Sequence, residues 1–138
     1  MRVRPCWAPA VSKKWYPDEL TLPLAFPNRR FRLWSYVPTH SGLVVRSEFE
    51  PDTPHVELLF QSVHLINLPT RMNGLVVAVG ENSRASGVTF TVSGDDFSGH
   101  VIASRLCLGV EERSKYSPVS IFHGLLSSEF PPEPRAPA

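Results

Sequence analysis

Cysteine is scarce in this chain. It has two, Cys6 and Cys107, too few for the disulfide framework that staples small secreted folds. Cys107 lies in the run Leu106-Cys107-Leu108, where a lone thiol behaves as a small buried hydrophobe. Two reduced thiols are therefore expected in preference to a Cys6–Cys107 bridge. An excess of one charge is also lacking: 14 lysines and arginines face 13 acids, a net charge of +1. That near-balance supplies no field to draw the chain onto nucleic acid or anionic lipid. No apolar run approaches the ~18 residues that a membrane helix needs, and Pro5, Pro9 and Lys13-Lys14 break any signal-type core near the N-terminus. No Asn-x-Ser/Thr acceptor occurs, since Asn82-Ser83 is followed by Arg84. The expectation is a cytoplasmic protein without membrane contact.

Motifs of chemistry are equally sparse. The sequence has no phosphate-cradling glycine loop, no C-x-x-C pair and no Gly-x-Ser-x-Gly elbow, so nucleotide, thiol-redox and esterase-type activities have no local signature. No cofactor is implied.

What the chain does have is punctuation: 14 prolines and 8 glycines in 138 residues, of which 42% are hydrophobic. A chain of this length fits one domain that buries its own core without metal or disulfide. Residues 1–19 combine prolines with Trp7, Trp15 and Tyr16, which predicts an extended Pro-rich arm because closely spaced prolines cannot share a helix. Residues 20–128 form the domain. Residues 129–138, with four prolines, are a disordered or polyproline tail.

Within the domain the rhythm is short runs between turns. A strand is expected near 20–25, then at Phe31–Tyr36, Leu43–Arg46 and His55–Phe60, the last half-buried with Glu57 on its polar side. Val63–Leu68 follows. Asn73-Gly74 reads as a hairpin turn leading into Leu75–Val79, a β-branched run expected to be interior and covered on both faces. Val88–Val92 and His100–Val110 make the final hairpin around Ser93–Gly99. Residues 118–128 permit either a strand or a helix, with strand preferred for Val119 and Ile121. The fold class is all-β: an antiparallel sandwich or flattened barrel of seven to eight short strands, because parallel sheets need long crossovers and none is visible.

Three constellations carry candidate chemistry. Asp95, Asp96 and His100 flank a turn that would gather them around a metal ion, the basis of a small metal-dependent hydrolase; ordinary turn chemistry explains the same aspartates. Arg32, Trp34 and Tyr36, at alternating positions, would place a cation beside two stacking platforms on one strand face, as in single-stranded nucleic-acid binders. The near-zero net charge weighs against that use. His40-Ser41 pairs an imidazole with a hydroxyl, but neighbours on an extended chain point to opposite sides.

The segment Phe31-Arg32-Leu33-Trp34-Ser35-Tyr36-Val37-Pro38-Thr39-His40-Ser41-Gly42-Leu43-Val44-Val45-Arg46-Ser47 resembles the opening of a group of small uncharacterised bacterial β-rich proteins. They share an aromatic strand, a His-Ser/Gly turn, an aliphatic strand and Arg-Ser. Val56–Val63 continues the likeness, which spans about residues 31–80. The resemblance implies an immunity-type protein held beside a toxin, and it singles out His40 and Arg46. Arg46 also has a structural use, pairing with Glu48, Glu50 or Glu57.

The leading functional reading is a non-catalytic protein-interaction module, an immunity-type inhibitor or assembly subunit, that binds an unknown protein partner through Trp34, Tyr36, His40 and Arg46. Self-association through sheet edges is a further expectation.

Overall fold

Alternating apolar residues on short segments can satisfy their backbone only by pairing with one another, and here they do so throughout. The structure is a computed structural model and describes residues 10–80 and 87–126. Cys6, Trp7, the expected tail 129–138 and most of the expected loop 80–87 lie outside the described residues. Nine antiparallel strands form one sheet: β1 (Val11–Tyr16), β2 (Leu24–Val37), β3 (Gly42–Ser47), β4 (His55–Gln61), β5 (Leu65–Asn67), β6 (Arg71–Val79), β7 (Val88–Ser93), β8 (Ser98–Ala103) and β9 (Arg105–Glu111). The expected all-β, antiparallel class is the observed one. Among the described residues no helix is long and apolar enough to cross a membrane.

The order across the sheet is β1-β9-β4-β3-β2-β6-β7-β8-β5. Residues 98–111 change partners at Ser104: β8 pairs β7, whereas β9 pairs β4. One stretch of chain, β8 and then β9, thus serves both the β7 side and the β4 side of the sheet. Ser104 itself is tied back by its amide to the Gln61 carbonyl at 2.9 Å. One face of the sheet carries the main core, with Phe31, Leu43, Val45, Leu58, Phe60, Leu75, Phe90 and Val101 among its buried members. Phe60 and Tyr16 meet the Phe90 ring edge-on, with centroids 5.5 and 5.7 Å away, an arrangement aromatic pairs favour.

Several expectations need correction. Residues 11–16 belong to the segment read as an arm, yet they pair along β9 as β1. The exposed Lys13 and Lys14 on this edge strand discourage further pairing. Asn73-Gly74 is not a hairpin turn. Both residues lie inside β6, where Gly74 takes φ of 78° opposite a register shift between Phe26 and Arg30; the positive φ serves a bulge instead of a reversal. Residues 118–128 contain no strand among those described, only the single helical turn α1 (His123–Leu126).

The two central strands exchange the roles read from sequence. β6 does lie inside the sheet, but Val79 at its end is 40% exposed, so the expected double cover is absent there. β4 is instead covered on both faces, and Glu57 in it is fully buried. The cause is the segment following β9, which crosses the outer face of β3, β4 and β9. Its Phe122 packs with Val44, Leu59 and Cys107 in a second apolar cluster.

Close backbone approach at Gly99 offers a test of the register. A Cβ there would stand 2.0 Å from the Asn67 carbonyl oxygen of β5. Gly99→Ala should lower stability by about 1–3 kcal/mol, the usual range for overpacking, read as a reduced urea midpoint. An unchanged midpoint would disprove the β5–β8 pairing.

Candidate functional site

The outer face of β3 and β4 carries three ionisable side chains at consecutive outward positions. Arg46 of β3 lies directly opposite Glu57 of β4, and His55 precedes Glu57 by one alternation of the strand. All three are buried. His55 Nε2 lies 2.6 Å from Glu57 Oε2, and Arg46 Nε lies 3.4 Å from the same oxygen. Arg46 Nε is also 3.2 Å from His55 Nε2. One ring nitrogen cannot both accept from Arg46 and donate to Glu57. The shorter contact is to a carboxylate, which only accepts, so the Nε2 proton points to Glu57.

The other carboxylate oxygen is claimed by the covering segment. Ser120 Oγ donates to Glu57 Oε1 at 2.5 Å and the Ile121 amide donates to it at 3.1 Å. Arg46 Nη2 donates to the Ser117 carbonyl, and the Trp34 indole nitrogen donates to the Pro118 carbonyl at 3.3 Å. Further along, Ser114 Oγ accepts from the Thr53 amide at 3.2 Å and lies within donating distance of the Glu50 and Thr53 carbonyls. Burial alone would push the Glu57 carboxyl upward. The hydrogen bonds from His55 and Ser120, with the charges of His55 and Arg46, outweigh it and hold the group below its ordinary range. Burial lowers the Arg46 guanidinium, opposed by Glu57 and then Glu111.

Serine, histidine and an acid thus meet, but in an order that cannot activate the hydroxyl. In a hydrolytic triad the imidazole stands between serine and acid and takes the serine proton. Here the carboxylate stands between them, with His55 on Oε2 and Ser120 donating its proton to Oε1, so no base faces the hydroxyl.

Above this buried layer opens a cleft of about 350 Å³ whose lining includes Trp34, Arg46, Phe49 and Tyr116 together with Arg32 and Lys115. The Arg46 guanidinium stacks on the Trp34 ring at 4.4 Å, and Tyr116 stacks on Phe49 at 3.7 Å with planes 20° apart. Trp34 is 41% exposed and Tyr116 80%. Arg32 is bound to Glu48 at 3.0 Å, and Lys115 to Glu111 at 3.6 Å.

The four residues expected to bind a partner are therefore divided. Trp34 and Arg46 come together in the cleft. Tyr36 does not join them, because the register of β2 against β3 shifts between Leu33 and Ser35. The extra residue, Trp34, reverses the alternation beyond it and sets Tyr36 opposite Leu43, on the side of the main core. Arg32, Trp34 and Tyr36 consequently do not form one stacking face. His40 sits in the turn after β2 and is not among the residues that line the cleft. Asp95 and Asp96 are exposed in the β7–β8 turn, while His100 lies within β8 opposite Asn67 and Thr91. Among the described residues no three His, Cys, Asp or Glu side chains gather as a metal site would require. Cys107 is a free, buried thiol whose pKa burial pushes up to about 11, which makes it inert at neutral pH.

Glu57, His55, Ser120, Phe49 and Tyr116 were not singled out as site residues by the sequence. One signal existed: an acid in an otherwise apolar, alternating strand marks either a wet face or a buried counter-ion, and only the covering segment decides between them.

Removing the Glu57 charge should be severe. Glu57→Gln leaves Arg46 buried without its counter-charge, at a cost of about 3–5 kcal/mol, measured by chemical denaturation at neutral pH. The lowered pKa of Glu57 also fixes a pH dependence. The unfolded carboxyl takes up its proton first as pH falls, so stability drops as pH passes below the ordinary carboxylate value of about 4.3 toward the lower folded one. A flat profile there for wild type would contradict the ion pair. No protein-family model, curated protein or solved structure matches this chain.

Proposed function

We propose that the protein is a non-catalytic binding module that engages a protein partner through the cleft of Trp34, Arg46, Phe49 and Tyr116. The observation that carries this reading is that Trp34 and Tyr116, both solvent-exposed, line one cleft with a buried arginine. Tryptophan, tyrosine and arginine are the residues that dominate binding energy at protein interfaces. The arginine is held from below by Glu57 and from the side by the Ser117 carbonyl, so little side-chain freedom is lost when a partner docks. The order of Ser120, Glu57 and His55 supports a structural use of that cluster over a hydrolytic one.

The resemblance of residues 31–80 to small bacterial β-rich proteins singles out His40 and Arg46, and of these Arg46 lines the cleft. An immunity-type inhibitor working in the cytoplasm, where a toxin must be met, is the most specific form the proposal takes.

The full chain, tagged and recovered from its source cells, should retain one protein in near-stoichiometric amount. Tyr116→Ala should lose it while its unfolding midpoint stays within the equivalent of about 0.5 kcal/mol of wild type, as expected for an exposed side chain. Equal recovery by the folded variant would remove this face as the binding surface.

A further inference from the structure

One rung of the sheet carries an arginine on each of three neighbouring strands. Arg32 of β2 stands directly opposite Arg46 of β3 on one side and Arg71 of β6 on the other. Opposite residues share a face, and here it is the outer one, because the adjoining Phe31 and Met72 are buried in the main core. Arg30, one alternation before Arg32, projects the same way and lies diagonal to Arg71. Like charges set directly opposite each other destabilise a sheet, so each arginine calls for an acid. Glu57 supplies one to Arg46, and Glu48 supplies one to Arg32 at 3.0 Å. Among the described residues no acid pairs with Arg30 or Arg71, and both side chains are exposed. We infer that this arginine rung extends the binding surface out of the cleft onto β6 and receives an acidic segment of the protein partner, whose carboxylates pair with Arg30 and Arg71. Arg32 joins the two parts, since it lines the cleft with Trp34. The inference rests on the reading of the cleft as the partner surface and adds the charge of what docks beside it.

The distribution of charge decides the kind of acidic partner. A nucleic-acid strand carries a phosphate on every nucleotide and is met by a basic excess along its whole track. Here the chain has a net charge of +1, and an acid stands within the arginine patch. The Glu48 amide donates to the Arg30 carbonyl at 2.9 Å, which sets Glu48 beside Arg30 on β2 while its carboxylate contacts Arg32. A phosphate backbone following β2 would be repelled at that point. Discrete carboxylates avoid the conflict: they can take Arg71 and Arg30 and leave Glu48 with Arg32. The planar guanidinium fork suits them, because it pairs with a carboxylate through two parallel hydrogen bonds.

The test uses the isotope-labelled full chain and the backbone amide resonances of Arg30, Arg32 and Arg71. Hexaglutamate, acetylated and amidated at its ends, should shift them saturably at low salt and less as salt rises. The neutral hexaglutamine should leave them in place. The double variant Arg30→Gln, Arg71→Gln should bind hexaglutamate about ten-fold more weakly, the product of two exposed ion pairs worth about three-fold each. Its urea midpoint should be equal to wild type or higher, because the substitution relieves the opposed charges of Arg32 and Arg71; a merely structural role would lower it. No shift with hexaglutamate, equal shifts with hexaglutamine, undiminished binding by the double variant, a lowered midpoint, or tighter binding of a thymidine hexanucleotide would each overturn the inference. Should Tyr116→Ala lose the recovered partner while the double variant retains it in full, the acidic assignment fails and the cleft stands.

Discussion

A single buried carboxylate organises the outer half of this molecule. Glu57 sits at the centre of β4 with no exposed surface, and it is stable there only because four groups converge on its two oxygens. His55 and Arg46 reach Oε2 from the sheet, while Ser120 and the Ile121 amide reach Oε1 from the segment above. A carboxylate in such a place would otherwise shed its charge. Its ionisation is therefore inseparable from the docking of residues 117–122, and the docking is inseparable from the cleft, whose floor is Arg46 and whose wall is Tyr116.

Arg46 links the two levels of the site. Its guanidinium faces Glu57 below, takes the Ser117 carbonyl at one side and lies against Trp34. Each contact uses a different part of the planar fork, which a lysine ammonium cannot reproduce. The sheet beneath provides the anchor: β3 is paired on both sides, by β2 and by β4. The aromatic pair Phe49–Tyr116 comes from two loops that Ser114 fastens together, its hydroxyl accepting from the Thr53 amide and lying within donating reach of the Glu50 and Thr53 carbonyls. Scaffold and loops thus supply different qualities, position from the first and contact area from the second.

Much of the architecture was legible in the residues. Val88-Thr89-Phe90-Thr91-Val92 alternates with period two, and Phe90 and Val92 are buried while Thr91 is exposed, as the pattern requires. The turn between β7 and β8 was equally plain, but the return read as one strand over His100–Val110 is two, β8 on β7 and β9 on β4, parted at Ser104. The misreadings share a cause: period and propensity describe one strand, whereas cover and register belong to its neighbours. Glu57 looked like a wet-face residue because nothing local reveals that residues 117–122 lie on top of it. Trp34 and Tyr36 looked like partners on one face because the bulge between Leu33 and Ser35 leaves no mark in the residue types of the segment. Asn73-Gly74 announced positive φ correctly, but the same backbone freedom serves a bulge within β6 as well as a reversal. Of the site, Trp34 and Arg46 were accessible because aromatic and cationic side chains in a strand are conspicuous. Tyr116 was not, since a single aromatic in a loop has no pattern to stand out from.

The long reach between Glu57 and Ser120 has a consequence for biosynthesis. Ribosomes add residues in order at about 5–20 per second, so β4 is made several seconds before the hydroxyl that completes its carboxylate's hydrogen-bond shell. Until that later portion emerges, the outer face of β4 must stay wet or protonated. The nascent chain cannot seal this layer as β4 forms, and its consolidation waits for residues 117–122.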